Sequence, residues 1–206
     1  MPKNQLTDAI VSIEWEMFSS VNNDGGKAAC QMDMATFRIM RQSQIDSWDE
    51  ELLASYLEDL KAASAQGRNL MSEKYARMME STFPDEYKQL ADKLPPVDAA
   101  AAKQVEEIVK IHVDWKEALD VRYPHLGDRG RPIRSQYDTT GLPSMETYMR
   151  AELKTFSPKT VALYHNATLQ RVAQGESEAE QILLHQVRQY GYDSLESAEA
   201  FFGSNP

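Results

Sequence analysis

The sequence predicts an all-α protein folded as a single bundle of seven to nine helices. Apolar residues recur at spacings of three and four along most of the chain, which is the period of an amphipathic helix. The nine glycines and nine prolines are few, and they lie at the breaks between the periodic segments. No run alternates apolar and polar residues over a length that would predict a strand. One domain over residues 1–206 is therefore expected, with residues 93–98 as a candidate subdomain hinge.

Helices in the first half of the chain are separated by recognisable start and stop signals. The first helix is expected to end before residues 21–26, which form a turn-rich segment. Asp33 is a candidate N-cap for the second helix, and Asp98 follows two prolines as the candidate N-cap of a long fifth helix. These signals predict five helices near 6–19, 33–46, 49–65, 70–82 and 99–121, with a short additional helix at 84–92.

The second half begins with a segment that has no hydrophobic periodicity. Residues 122–143 are predicted to form a long irregular loop, and loops of this length inside compact domains are often functional. Pro158 marks a break between two helices, and Gly191 is a candidate C′ residue at the end of a third. Helices are therefore expected near 144–156, 158–173 and 176–190, with a short terminal helix near 194–202.

The overall charge and the cysteine content limit the partners and the compartment. A net charge of −10 argues against unspecific attraction to nucleic acid or to anionic membranes. The single cysteine, Cys30, excludes an intramolecular disulfide and fits a reducing cytoplasm. The N-terminus lacks the basic and apolar regions of a secretory signal, and no apolar run approaches the length of a membrane span. We expect a cytoplasmic protein with no nucleic-acid or membrane partner.

Ionisable residues stand within the apolar stripes of several predicted helices. Burying a charge without a partner is costly, so each must pair, shift its pKa or line a polar pocket. One interpretation assigns proton transfer to the acids and one imidazole, and substrate binding to the others. The alternative is a few buried ion pairs, with histidines satisfied by backbone carbonyls. The catalytic candidates are Glu14, His112 and Glu152, and the substrate-binding candidates are Arg41, Lys116 and His165.

Cys30 is the candidate nucleophile. It follows a glycine-rich stretch and precedes the second predicted helix. A thiol near a helix N-terminus can have a lowered pKa and can be assisted by a nearby histidine. The alternative is that Cys30 is a small buried hydrophobic residue, which is the more common role of a free cysteine.

The segment 122–143 is a positive island in an acidic protein. It contains Arg122, Arg129, Arg131 and Arg134, and planar guanidinium groups suit carboxylate or phosphate recognition. Gly130 lets the backbone turn between two of these arginines. Arg129 and Arg131 are therefore candidate substrate-binding residues. The alternative is that the arginines form salt bridges to the acidic remainder of the chain.

A dinuclear carboxylate bundle is the obvious metal hypothesis for a helical fold, but its motif is absent. Such a site needs Glu-x-x-His on two helices. The residues three positions before His112 and His165 are Val109 and Ala162. We therefore expect no metal and no cofactor, although a site built from Glu14, Glu152 and one histidine stays open as an alternative.

Several segments of the chain resemble one protein family. These are IEWEMF at 13–18, VNNDGGKAACQ at 21–31 and EKYARMME at 73–80, together with GRPI at 130–133 and ETY at 146–148. They are similar to a bacterial family catalogued as a domain of unknown function, over most of the chain. The resemblance implies a bacterial cytoplasmic protein and supplies no activity or catalytic residues.

Taken together, these features predict a small bacterial enzyme that binds an anionic metabolite in a polar pocket at the bundle centre. Without a nucleotide or metal motif, a cofactor-independent lyase, isomerase or cyclase is the least demanding class. One alternative is a non-catalytic ligand-binding or scaffold protein. Another is a metal-dependent oxygenase or hydrolase.

Overall fold

The all-α prediction is confirmed by a computed structural model, which describes residues 1–22, 26 and 28–204. Residues 23–25 of the predicted turn lie outside this described part. Within it, eleven α-helices and three short 3₁₀ turns occur, with one isolated bridge between Thr139 and Leu142. Eleven exceeds the predicted seven to nine because short helical segments form separate elements. None of the described helices is both long and apolar enough to cross a membrane.

The helices follow the expected order along the chain. Nine of the described helices span nine residues or more, whereas α5 and α7 span only seven and four residues. Their bounds are α1 Lys3–Ser19, α2 Met34–Ile45, α3 Glu50–Ala65, α4 Leu70–Thr82, α5 Pro84–Leu90, α6 Ala99–Arg122, α7 Pro124–Gly127, α8 Met145–Leu153, α9 Pro158–Gln174, α10 Glu178–Gln189 and α11 Leu195–Ser204.

Side-chain caps fix where the helices begin, as the sequence predicts. The carboxylate of Asp33 accepts a hydrogen bond from the backbone N–H of Thr36 at 3.0 Å, at the start of α2. The carboxylate of Asp98 accepts from the N–H groups of Ala100 and Ala101, each at 2.9 Å, at the start of α6. At the end of α10, Gly191 has a φ of 91°, a left-handed conformation that favours glycine.

Two apolar clusters hold the bundle together. The larger one buries side chains of α1, α3, α4, α6, α8 and α9, and includes Ile10, Leu53 and Val105. The smaller one lies at the C-terminal end of α6, where α7, α10 and α11 pack against Leu119 and Tyr123. Because α6 enters both clusters, it connects the two parts of the fold.

The segment 122–143 is less irregular than the sequence predicts. It contains α7 and a 3₁₀ turn at Ser135–Tyr137, and it is tied to the start of α8 by hydrogen bonds. Asp138 accepts from the N–H of Ser144 at 2.5 Å and from the hydroxyl of Thr147 at 2.6 Å. These bonds give the segment a defined path although it lacks hydrophobic periodicity.

Candidate functional site

A cavity of about 850 Å³ opens between the start of α2 and the segment 122–143. We call it the central cavity. Its rim is formed by exposed residues that include Asp33, Met40, Arg129, Arg131 and Leu142. A cavity of this size falls in the range that holds drug-sized ligands, about 300–1,000 Å³.

The inner wall of the central cavity is largely apolar, with charged groups in its floor. The aromatic rings come from five helices and two connecting segments, and several of them contact one another. The apolar lining includes Phe18, Phe37, Trp48, Met71, Tyr75, Met145, Tyr148, Met149, Phe156 and Tyr164, and the charged or titratable inner lining consists of Arg41, Lys74, His112, Lys116 and Glu152.

Glu14 and Arg41 form a fully buried ion pair between α1 and α2. The guanidinium of Arg41 donates from Nε and Nη2 to the two carboxylate oxygens of Glu14, at 2.8 and 2.5 Å. The Tyr56 hydroxyl donates to the same carboxylate at 2.6 Å. Burial by itself lowers the pKa of Arg41, but attraction by Glu14 and Glu152 outweighs it and raises that pKa well above its usual value. Arg41 therefore remains charged in the interior.

Glu152 of α8 bridges two buried cations. Its carboxylate lies 2.9 Å from Nη1 of Arg41 and 2.7 Å from Nζ of Lys74. Burial alone would raise its pKa, but the two cations lower the pKa of Glu152 to about 2. Glu152 is thus ionised at neutral pH and is a weak base.

Glu14, Arg41, Lys74 and Glu152 form what we call the ion cluster. It joins α1, α2, α4 and α8 and balances two carboxylates against two cations. Arg41, Lys74 and Glu152 line the central cavity, whereas Glu14 lies behind Arg41 and has no exposed surface. Such mutual pairing is how proteins keep charges in an interior.

A second buried polar group surrounds Glu178, the first residue of α10. Its carboxylate accepts from the Ser47 hydroxyl at 2.6 Å and from the Trp48 indole N–H at 3.2 Å. Nε2 of His112 lies 3.3 Å away, and Nη1 of Arg171 lies 3.9 Å away. Burial opposes ionisation, but the bonds from these neighbours lower the pKa of Glu178 below its usual value.

His112 connects this polar group to the central cavity. Its ring lines the cavity floor, and its Nε2 lies 3.4 Å from the Tyr164 hydroxyl as well as close to Glu178. Burial and the nearby Glu178 carboxylate raise the pKa of Tyr164 well above its usual value, so its hydroxyl stays protonated. A carboxylate beside an imidazole orients the ring and selects its tautomer.

The two arginines between α7 and α8 lie at the rim of the central cavity. Cζ of Arg129 lies 3.9 Å from the ring centre of Phe202, and Arg131 donates to the carbonyl of Pro143 at 3.3 Å. In the described part of the chain neither forms an ion pair. Arg122 and Arg134 do form ion pairs, with Glu180 and Glu117. The salt-bridge interpretation therefore fits Arg122 and Arg134 and does not fit Arg129 and Arg131.

Two other candidate residues lie at or near the cavity with different surroundings. Lys116 lines it and forms an ion pair with Asp120 one turn further along α6. Cys30 lies in the 3₁₀ turn Ala29–Met32 and lines the rim as an exposed residue. It precedes Asp33, the cap of α2, rather than sitting in the first turn of that helix.

His165 does not line the central cavity. Its Nε2 lies 2.7 Å from a carboxylate oxygen of Glu107 on α6. Two apolar residues that follow it on the same helix, Leu169 and Val172, are 43% and 47% exposed. The apolar stripe of α9 is covered only near its N-terminal end, where Val161 and Tyr164 are buried.

Sequence reasoning missed three residues of the site. Lys74 stands between Met71 and Met78 on the stripe of α4, so the periodicity that identified Glu14 also applies to it. Glu178 occupies the first position of α10, where an acidic residue is usually explained by the helix dipole. Tyr56 is an ordinary core residue by its pattern, and nothing in the sequence signals its bond to Glu14.

Within residues 1–22, 26 and 28–204, no three His, Cys, Asp or Glu side chains are grouped as they would be around a metal ion. The carboxylates of Glu14 and Glu152 instead face Arg41 and Lys74.

Comparisons with known proteins give one match. No curated protein and no solved structure matched the chain. A family model described as Protein of unknown function (DUF4125) matches residues 4–200, which is nearly the whole chain. The chain therefore belongs to this family of proteins of unknown function.

Proposed function

We propose that the protein binds a small organic anion in the central cavity and carries out cofactor-independent acid–base chemistry on it, as a lyase, isomerase or cyclase does. One observation supports this most strongly. The same cavity has at its rim arginines without ion-pair partners among the described residues, and in its floor an imidazole, His112, that faces the Glu178 carboxylate.

The charge balance around the cavity favours an anionic ligand. Arg41 and Lys74 are neutralised by the carboxylates of the ion cluster, and Lys116 is neutralised by Asp120. Arg129 and Arg131 are the lining cations left without a carboxylate in the described residues. A guanidinium exposed at a cavity rim can donate two parallel hydrogen bonds to a carboxylate or phosphate.

His112 is the group best suited to transfer a proton. Glu152 is a weak base because two cations hold its pKa at about 2. Glu14 accepts three hydrogen bonds and lies behind Arg41. We therefore assign Glu14 and Glu152 to positioning Arg41 and Lys74, and proton transfer to His112, with Glu178 orienting its ring.

A screen for thermal stabilisation by carboxylates and organic phosphates tests the binding, and proton NMR of the incubated compounds tests turnover. We expect a stabilising anion to be converted by the wild type. His112→Gln keeps a hydrogen-bonding side chain beside Glu178, so it should bind the same anion and fail to convert it. Conversion at the wild-type rate by His112→Gln would contradict the assignment.

A non-catalytic binding protein is the second candidate. Its support is the ion cluster, in which every charged group already has an opposite charge as a partner, as in a structural network. The test is incubation of a bound anion with the wild type in deuterium oxide. An anion that binds but is neither converted nor exchanges its protons for deuterium would favour this candidate over the enzyme.

A further inference from the structure

We infer that the anion taken by the central cavity is amphipathic, with a carboxylate at the rim and an apolar body inside. The inference rests on the proposed function and specifies its ligand class. Three features of the cavity support it: the distribution of free charge, the composition of the inner wall, and the volume.

Free positive charge is confined to the rim. Arg129 and Arg131 are exposed and have no carboxylate partner among the described residues. Deeper in the cavity, Arg41 and Lys74 share Glu152 at 2.9 and 2.7 Å. An anionic head group is therefore favoured at the rim, because it neutralises the charges of Arg129 and Arg131 there. At the floor it would compete with Glu152 for Arg41 and Lys74.

The inner wall suits an apolar body. Phe37, Tyr75 and Leu183 line it as half-buried side chains, so they keep apolar surface open to water. Methionines complete the wall, and their flexible thioether side chains adapt to ligands of different shape. Covering this wall removes apolar surface from water, which is the main source of affinity for an uncharged body.

The volume favours a ligand larger than a small polar anion. A cavity of about 850 Å³ lies near the upper end of the range that holds drug-sized ligands, and it is open to water. A ligand of only a few heavy atoms would leave most of that water against the aromatic wall. A larger apolar body displaces it, and each additional buried methylene should tighten binding roughly threefold to fourfold.

Tyr148 links the rim to the interior and prepares Arg131 for a head group. Cζ of Arg131 lies 4.9 Å from the ring centre of Tyr148, and Nζ of Lys74 lies 3.6 Å from the same centre. Stacking on an aromatic face holds a guanidinium in place while its in-plane N–H groups stay free to donate. Tyr148 is thus a positioning residue for the anion.

Fluorescence of anilinonaphthalene sulfonate, an anion with an aromatic body, provides a direct assay. We expect one saturable site per chain, from which hexanoate, octanoate and decanoate displace the dye with rising affinity. Naphthoate should compete as well, and comparing it with decanoate distinguishes an aromatic body from an aliphatic chain. Phosphate and succinate should require concentrations at least about tenfold higher than octanoate.

Two tryptophan variants locate the site. Met40 is 40% exposed at the rim, so Met40→Trp narrows the entrance without disturbing the core. Met32 is 70% exposed and does not line the cavity, so Met32→Trp is the matched control. We expect Met40→Trp to weaken dye binding at least about fivefold and Met32→Trp to bind as the wild type does.

The outcomes separate this inference from the proposed function. In one outcome, calorimetry shows that succinate or phosphate binds as tightly as decanoate and that Met40→Trp weakens this binding. The cavity is then an anion site, as the proposed function requires, but its ligand is not amphipathic. If dye and fatty acids bind equally to wild type and Met40→Trp, and no small anion binds, the cavity is not an anion site and both proposals fail. Affinity that rises with chain length and falls in Met40→Trp supports both.

Discussion

Arg41 forms a bidentate ion pair with Glu14, in which Nε and Nη2 donate to the two carboxylate oxygens at 2.8 and 2.5 Å. The pair ties α2 to α1 in a region with almost no solvent contact. Because its remaining nitrogen contacts Glu152 and the Gln44 side chain, Arg41 has little capacity left for a ligand. The role of anion clamp therefore falls to the arginines at the rim.

Replacing Glu14 by Gln should strongly destabilise the fold. The substitution leaves the Arg41 charge half-compensated in the interior, and breaking a buried pair costs about 3–5 kcal/mol. Urea unfolding followed by circular dichroism measures this loss. Glu16→Gln on the exposed side of the same helix is the matched control and should change the free energy of unfolding by less than about 0.5 kcal/mol. A similar small effect for Glu14→Gln would show that the pair contributes little.

Glu152 should make the protein sensitive to acid. Its pKa is about 2 in the folded protein against 4.5 for an ordinary glutamate, so its contribution to stability is complete above about pH 5 and is lost as the pH falls towards 2. Over that interval, the gap in unfolding free energy between wild type and Glu152→Gln should shrink by on the order of 3 kcal/mol. Parallel stability curves for the two proteins from pH 7 to pH 3 would contradict this.

Glu178→Ala should remove the acceptor that holds Ser47 and Trp48 and the carboxylate that faces His112. Leaving buried donors without a partner costs about 1–3 kcal/mol, and the loss here affects several donors. We expect a reduced melting temperature and a changed Trp48 fluorescence spectrum. Glu176→Ala, two residues earlier and exposed, is the control and should leave both unchanged. If the two variants have the same melting temperature and the same Trp48 fluorescence spectrum, the Glu178 carboxylate does not stabilise the site.

Arg131→Ala should weaken anion binding without weakening the fold. Losing one charge-assisted hydrogen bond costs about 1.5–3 kcal/mol, which corresponds to roughly ten- to hundredfold in affinity. Its melting temperature should stay near that of the wild type because Arg131 has no carboxylate partner in the described residues. Arg134→Ala, which removes the exposed pair with Glu117, should bind normally. An Arg131→Ala protein that binds normally and melts much earlier would make Arg131 a structural residue.

Helical periodicity was sufficient to place four of the buried ionisable residues. Glu14, Arg41, His112 and Glu152 each interrupt an apolar stripe, and each is directed inward by its helix. The same rule counted His165 among the site residues, but its side chain pairs with Glu107 on α6 and does not line the cavity. An apolar stripe predicts a covered face but not how far the cover extends. On α9 the cover ends before Leu169, which is 43% exposed.

The pairing of these residues could not be predicted from the sequence. Glu14 and Arg41 lie on helices joined by the stretch between Ser19 and Met34, and their contact depends on how α1 and α2 pack. Glu178 meets His112 across the bundle, from a helix end where acidic residues are common for local reasons. Periodicity assigns a residue to a face, whereas packing geometry decides its partner.

The most direct test of the central claim is a methyl NMR spectrum of protein labelled at its methionine methyl groups. Met40, Met71, Met145 and Met149 line the central cavity, and Met32 and Met78 do not. On addition of anilinonaphthalene sulfonate, ring currents should shift the four lining resonances and leave the other two in place. Shifts confined to Met32 or Met78, or no shift in any lining methionine at saturating dye, would contradict an anion-binding cavity at this position.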